Sequence, residues 1–225
     1  MPLVILDCDG VLVDSERITT GLLATMSTEL GWAVTPEQSV EQFKGRDLHE
    51  IRDFLEERTG ATLGDAFITR YRERMAEQFE SRGVPAIAGA AELLDWLDDA
   101  AITHAVASNA PHSKMALTLG RIGRPRWANG WFDRFEGRRF SAYEIERWKP
   151  DPALFLHAAQ RMGHEPANSI VVEDSTSGVR AAVAADMRVI ALADLTSPEA
   201  LAEAGATEVC RSLPEVADLL GRWID

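Results

Sequence analysis

Only two cysteines, Cys8 and Cys210, occur in 225 residues, and neither forms a CxxC pair. That excludes a disulfide framework and points to a reducing compartment. Long apolar runs are missing too. The first, Leu3-Val4-Ile5-Leu6, stops at Asp7, too short for a secretory signal, and none approaches membrane-spanning length. Positive charge is scarce: 23 Lys and Arg against 36 Asp and Glu leave a net charge of −13. Nucleic acid and anionic membrane are poor partners for such a chain, since both require clustered positive charge. An anionic small molecule remains possible if local cations or a metal overcome the global field. There is no internal repeat and no low-complexity tract. With 46% hydrophobic and 26% charged residues the chain can bury an ordinary core. The expectation is a cytoplasmic protein of one large domain, or a main domain with a smaller insert.

Four continuous apolar runs read as strands buried on both faces: Leu3 to Leu6, Ala105 to Ala107, Ile170 to Val172 and Val189 to Leu192. Helical patterns separate the later ones. Leu154, Phe155, Ala158 and Met162 share one face, Ser177 to Ala185 is alanine-rich, and Pro198 opens a helix ending at Ala204. Buried strands alternating with helices predict an α/β fold with a doubly wound parallel sheet. The stretch from 15 to 82 differs. Ile18, Leu22, Met26 and Leu30 recur every fourth residue before Gly31. Thr35-Pro36-Glu37-Gln38 is a capping box, Asp47 to Glu50 repeats the cap pattern, and Phe67, Tyr71, Met75 and Phe79 form a further stripe before Gly83. We therefore expect a core domain of residues 1–14 and 83–225 and an inserted helical cap of residues 15–82.

The sharpest signal is Asp7-Cys8-Asp9-Gly10-Val11-Leu12-Val13-Asp14-Ser15. Two acids end a buried strand, and ligands of doubly wound sheets sit beyond the carboxyl ends of strands. Aspartate is also common in turns, so this motif alone fits a plain strand end. The other strand ends add Ser108-Asn109, groups suited to phosphate oxygens, and Glu173-Asp174-Ser175, a second acidic pair. Lys149 stands between them in Arg147-Trp148-Lys149-Pro150-Asp151-Pro152. Clustered acids repel one another, so such a site requires a cation. The five histidines show no metal spacing and read as surface or packing residues.

The order DxDGxxxDS, Ser-Asn, Lys-Pro-Asp-Pro and Glu-Asp-Ser-x-x-Gly resembles the haloacid dehalogenase superfamily along essentially the whole chain. Within it the chain is most similar to the β-phosphoglucomutase-like phosphatases. Its loops Gln42-Phe43-Lys44-Gly45, Ser108-Asn109 with Lys114-Met115, and Arg147 to Leu154 resemble those of bacterial 6-phosphogluconate phosphatases. The resemblance implies Asp7 as nucleophile, forming an aspartyl phosphate, and Asp9 as general acid and then general base. It implies Ser108 and Lys149 on the phosphoryl oxygens, with Asn109 beside them. Mg²⁺ is the implied cofactor, held by Asp7, the Asp9 backbone carbonyl and Asp174, with Glu173 reaching it through water. A lysine before the glycine of the cap loop makes Lys44 a substrate-binding candidate with Arg46, although solvated cations on a loop fit these two equally well. Asp14 reads as a structural acid at the hinge, Cys8 as a packing residue, and Trp127, Trp131 and Trp148 as packing under the loops.

The implied partner is a phosphorylated sugar or sugar acid. Asp9 argues against a dehalogenase, where the second residue after the nucleophile is not an acid. A phosphosugar mutase would share every motif. A non-catalytic phosphoryl-binding protein has little need to keep all of these groups.

Overall fold

The computed structural model describes residues 1–44, 46–122 and 129–224; Gly45 and Trp127 lie outside them. Two compact units emerge, Met1–Val13 with Pro85–Asp225, and Asp14–Val84. The chain opens with β1 (Leu3–Leu6), whose four residues are fully buried. It then leaves the first unit for four helices: α1 (Ser15–Glu29), α2 (Pro36–Phe43), α3 (Leu48–Thr59) and α4 (Gly64–Arg82).

The second unit has its own core. Leu22, Leu23 and Met26 of α1 meet Phe43 of α2, Ile51 and Leu55 of α3, and Phe67, Ile68 and Tyr71 of α4. Trp32, Phe43 and Phe54 pack edge to face with centroids 5.5–6.1 Å apart. The capping box at Thr35 is complete. Its side chain accepts from Gln38 N–H at 3.2 Å, and the Gln38 side chain accepts from Thr35 N–H at 2.9 Å. Asp47 also caps its helix, through His49 N–H at 2.7 Å. Gly60, in the left-handed region with φ +72°, ends α3.

Back in the first unit come α5 (Ala90–Asp99), β2 (His104–Ser108), α6 (His112–Leu119), α7 (Gly130–Arg134), β3 (Arg139–Ser141), α8 (Ala142–Ile145) and α9 (Ala153–Met162). The rest is β4 (Ser169–Glu173), α10 (Thr176–Ala184), β5 (Arg188–Leu192), α11 (Pro198–Glu203), β6 (Glu208–Cys210) and α12 (Leu213–Ile224). All six strands are parallel, in the order β3-β2-β1-β4-β5-β6. Leu3, Ile5, Ala105, Ala107, Val171 and Val189 form one buried face with Leu154, Phe155 and Val179 from α9 and α10. Their neighbours Val4, Leu6, Val106, Ile170, Val172 and Ile190 point the other way and are also fully buried. The expected doubly wound sheet is present. Strands β3 and β6 were not foreseen, because three residues each, Arg-Phe-Ser and Glu-Val-Cys, carry too little apolar pattern to read. Among the described residues no helix is long and apolar enough to cross a membrane.

The complete box at α2 gives a direct check on the helical unit. Thr35→Ala should cost about 1 kcal/mol. In thermal melts followed by circular dichroism the midpoint should fall by roughly 2–4 °C. An unchanged midpoint would show that the cap does not matter to that helix.

Candidate active site

Pairing of β1 with β4 runs one residue past the strand, since Asp7 N–H donates to Val172 O at 2.9 Å. The chain then turns at once. Leu12 and Val13 N–H both donate to Cys8 O at 3.0 Å, and Gly10 N–H donates to Val13 O at 2.8 Å. Gly10 has φ +91°, and a Cβ there would fall on the Asp174 carboxylate. Glycine is thus required twice over, for the turn and for the close approach. In this strand order β1 lies at the switch point of the sheet, where successive connections leave on opposite sides and open a crevice. Asp7 and Asp9 leave β1 at that point.

Lys149 is the centre of the site. Its Nζ donates to Asp7 Oδ1 at 2.5 Å, Glu173 Oε1 at 2.6 Å and Ala107 O at 3.1 Å, and it lies 4.8 Å from the Phe155 ring centroid. Asn109 Oδ1 accepts from Lys149 N–H at 2.9 Å and so fixes the loop that carries the lysine. Asp7 and Lys149 are each 7% exposed and Glu173 1%. Glu173 Oε2 accepts from Asp174 N–H, Ser175 N–H and Ser175 Oγ at 2.8–2.9 Å. A Cβ at Gly178, in the first turn of α10, would fall on this carboxylate.

These contacts set the charges. Burial pushes the Asp7 carboxyl well above its usual range; Lys149 opposes this, and Glu173, Asp174 and Asp9 add to it. Burial presses Lys149 towards neutrality, but Asp7 and Glu173 together outweigh it and hold the ammonium charged. Cys8 is pushed up by burial, then by Asp9 and Asp7, and stays a thiol suited to packing.

The structure thus gathers Asp7, Glu173 and Lys149 by direct contact, with Asp174 and Asp9 near enough to act on Asp7. Ser108 is buried at the end of β2, where its Oγ accepts from Ala110 N–H at 3.0 Å, leaving its O–H to donate elsewhere. Asn109 holds Lys149, and Glu173 braces both Lys149 and the turn into α10. Asp14 pairs with Arg17 at 2.7 Å. Lys44 ends α2, and the Arg46 guanidinium lies over Phe54 at 5.4 Å; both belong to the second unit. Trp131 packs as expected at 1% exposure, whereas Trp148 is 43% exposed against Tyr143, because burying Lys149 turns its neighbour outward. Sequence reasoning missed Lys114 as a site residue. Its Nζ lies 3.0 Å from Asp9 Oδ2. Its place on the first turn after the Ser-Asn motif, where Lys114-Met115 shares the loop resemblance, was the signal that could have pointed to it.

Magnesium fits this donor set. The carboxylates of Asp7, Asp9, Glu173 and Asp174 gather around the ammonium groups of Lys149 and Lys114, and burial among acids raises the Asp7 carboxyl, which a cation would relieve. The donors are oxygens, which suits a hard cation. Gly10 keeps side-chain atoms off the Asp174 carboxylate. Among the described residues no three His, Cys, Asp or Glu side chains form an ion cage. An ion held by two carboxylates, with water and phosphate oxygens, needs none.

With this fold and site, the chain belongs to the haloacid dehalogenase-like hydrolases, whose family model matches residues 1–186. Over 189 residues it is 39% identical to the 6-phosphogluconate phosphatase of Escherichia coli (strain K12), covering 83% of this chain and 80% of that protein. A solved haloacid dehalogenase-like protein from Agrobacterium tumefaciens str. C58 matches with TM-score 0.85 and 29% identity over 100% of both chains. A structure described as a β-phosphoglucomutase from Thermotoga maritima matches with TM-score 0.79 and 25% identity over 99% of both.

A carboxyl whose pKa is raised by folding costs stability once pH passes its unfolded value near ~3.9, and the cost grows until the folded value is passed. In chelator at pH 8, Asp7→Asn should therefore melt above wild type, by roughly 2–4 °C for each kcal/mol relieved. The gap should close as pH falls into the ordinary carboxylate range. A variant less stable at every pH would contradict the charge account.

Proposed function

We propose that the protein is a magnesium-dependent phosphomonoester hydrolase of small sugar phosphates that works through an aspartyl phosphate on Asp7. The observation that carries this reading is the Asp7 carboxylate at the switch point, held by Lys149 and two residues before a second acid, Asp9. An Asp7 oxygen attacks phosphorus while the bond to the sugar oxygen breaks, and Asp9 gives its proton to that leaving oxygen. Asp9 then takes a proton from water as the water attacks the same phosphorus. The bond to Asp7 breaks and inorganic phosphate leaves. Ser108 O–H and the Lys149 ammonium steady the transferring oxygens, which requires Lys149 to loosen one of its present contacts. Asp7, the Asp9 carbonyl and Asp174 would hold magnesium, with Glu173 behind them. The ion supplies Lewis-acid neutralisation of the charge gathered on the phosphoryl group.

The finer proposal is 6-phosphogluconate as substrate and the cytoplasm as compartment. Similarity to a 6-phosphogluconate phosphatase supports the first, and two unpaired cysteines support the second. A mutase reading draws support from the β-phosphoglucomutase-like neighbour. A screen of sugar phosphates should show release of inorganic phosphate with magnesium and almost none in chelator. 6-Phosphogluconate should lead, and Asp7→Asn should be inactive on every ester. Activity in metal-free chelator, or a few per cent retained by the variant, would refute the mechanism. Conversion of β-glucose 1-phosphate into glucose 6-phosphate with little free phosphate would favour the mutase.

A further inference from the structure

Helix α6 carries Lys114 in its first turn, without an acidic residue there. A cation in that turn works against the helix dipole. Its side chain is nevertheless held, a quarter exposed, with Nζ 3.0 Å from Asp9 Oδ2. One turn further on the same face, buried Thr118 lies near enough to Cys8 to act on its thiol. The helix thus meets two consecutive residues of the turn after β1, Cys8 through Thr118 and Asp9 through Lys114. Met115 and Leu119, both fully buried, anchor it. Holding this part-buried pair costs the lysine rotamer freedom. Here the partner is the carboxylate that must exchange a proton with the leaving oxygen.

We propose that Lys114 is a positioning residue. It fixes the plane of the Asp9 carboxylate, and with it the oxygen that faces the leaving group and later the attacking water. No proton leaves Lys114. This rests on the reading of Asp9 as the acid–base group, so the two must be tested apart.

The test compares kcat/KM for two esters, using the full chain with magnesium at fixed pH. One is the sugar phosphate that leads the screen, whose alkoxide must be protonated. The other is p-nitrophenyl phosphate, whose leaving group departs without a proton. Because kcat/KM ends at departure of the leaving group, the later water step does not enter. Asp9→Asn should lose on the order of 10²–10⁴-fold on the sugar phosphate and far less on the aryl ester. Lys114→Met should follow the same pattern, with roughly tenfold or greater loss on the sugar phosphate and under about threefold on the aryl ester. Lys114→Arg should recover most of the rate, and the double variant should be no worse than Asp9→Asn alone. Lys114→Gln replaces the methionine variant if that one does not fold. Equal losses of the Lys114 variant on both esters, or a loss that adds to that of Asp9→Asn, would overturn the proposal and put Lys114 on the phosphate itself. Equal losses of Asp9→Asn on both esters would remove the acid–base reading and the proposal with it.

Discussion

One buried ammonium ties three neighbouring strands together at the edge where chemistry can occur. Lys149 Nζ meets Asp7 beyond β1, the Ala107 carbonyl of β2 and Glu173 at the end of β4. Each of its three protons therefore has a partner on a different strand. Removing the lysine would leave two buried carboxylates unmatched, which costs about 3–5 kcal/mol. The surrounding sequence protects this arrangement: Asn109 grips the Lys149 backbone, Gly178 makes room for Glu173, and Gly10 makes room for Asp174. The sheet order makes the contact possible, because it sets β2, β1 and β4 side by side at the switch point.

The same interaction explains how an acidic protein can work on an anionic ester. The net charge of −13 repels phosphate at long range, but charge far from the site is largely screened beyond about 8 Å. Within the site, Lys149 meets Asp7 and Glu173, and Lys114 meets Asp9. A nucleophilic Asp7 has to be ionised, and burial among acids works against that. In the proposed mechanism a divalent cation held by Asp7 and Asp174 would resolve the conflict and prepare the site for a phosphoryl group. On that proposal the metal, Asp7 and Lys149 would act as one electrostatic unit.

Much of this was legible in the residues. β1, β2, β4 and β5 are continuous apolar runs of a kind that only a sheet covered on both faces accommodates, and the Thr35 box announced α2. The acids at 7, 9, 173 and 174 and the lysine at 149 stood out because each follows or leads a recognisable element. Partners within the site were less legible. Asn109 read as a group for phosphate oxygens, and its Oδ1 also holds the Lys149 backbone N–H, while Glu173 braces the Lys149 side chain. Lys114 escaped attention as a site residue because its meaning depends on how α6 is rotated against the turn after β1, which no local pattern records. Trp148 read as packing, but its neighbour Lys149 took the buried direction.

The central claim is that Asp7, charged and held by Lys149, becomes covalently bound to phosphate during turnover. It is tested most directly by quenching the working enzyme in acid within milliseconds of mixing with substrate and mapping its peptides by mass spectrometry. The account predicts a phosphate group on Asp7. Phosphate on another residue, or an enzyme that releases phosphate without any adduct, would contradict it.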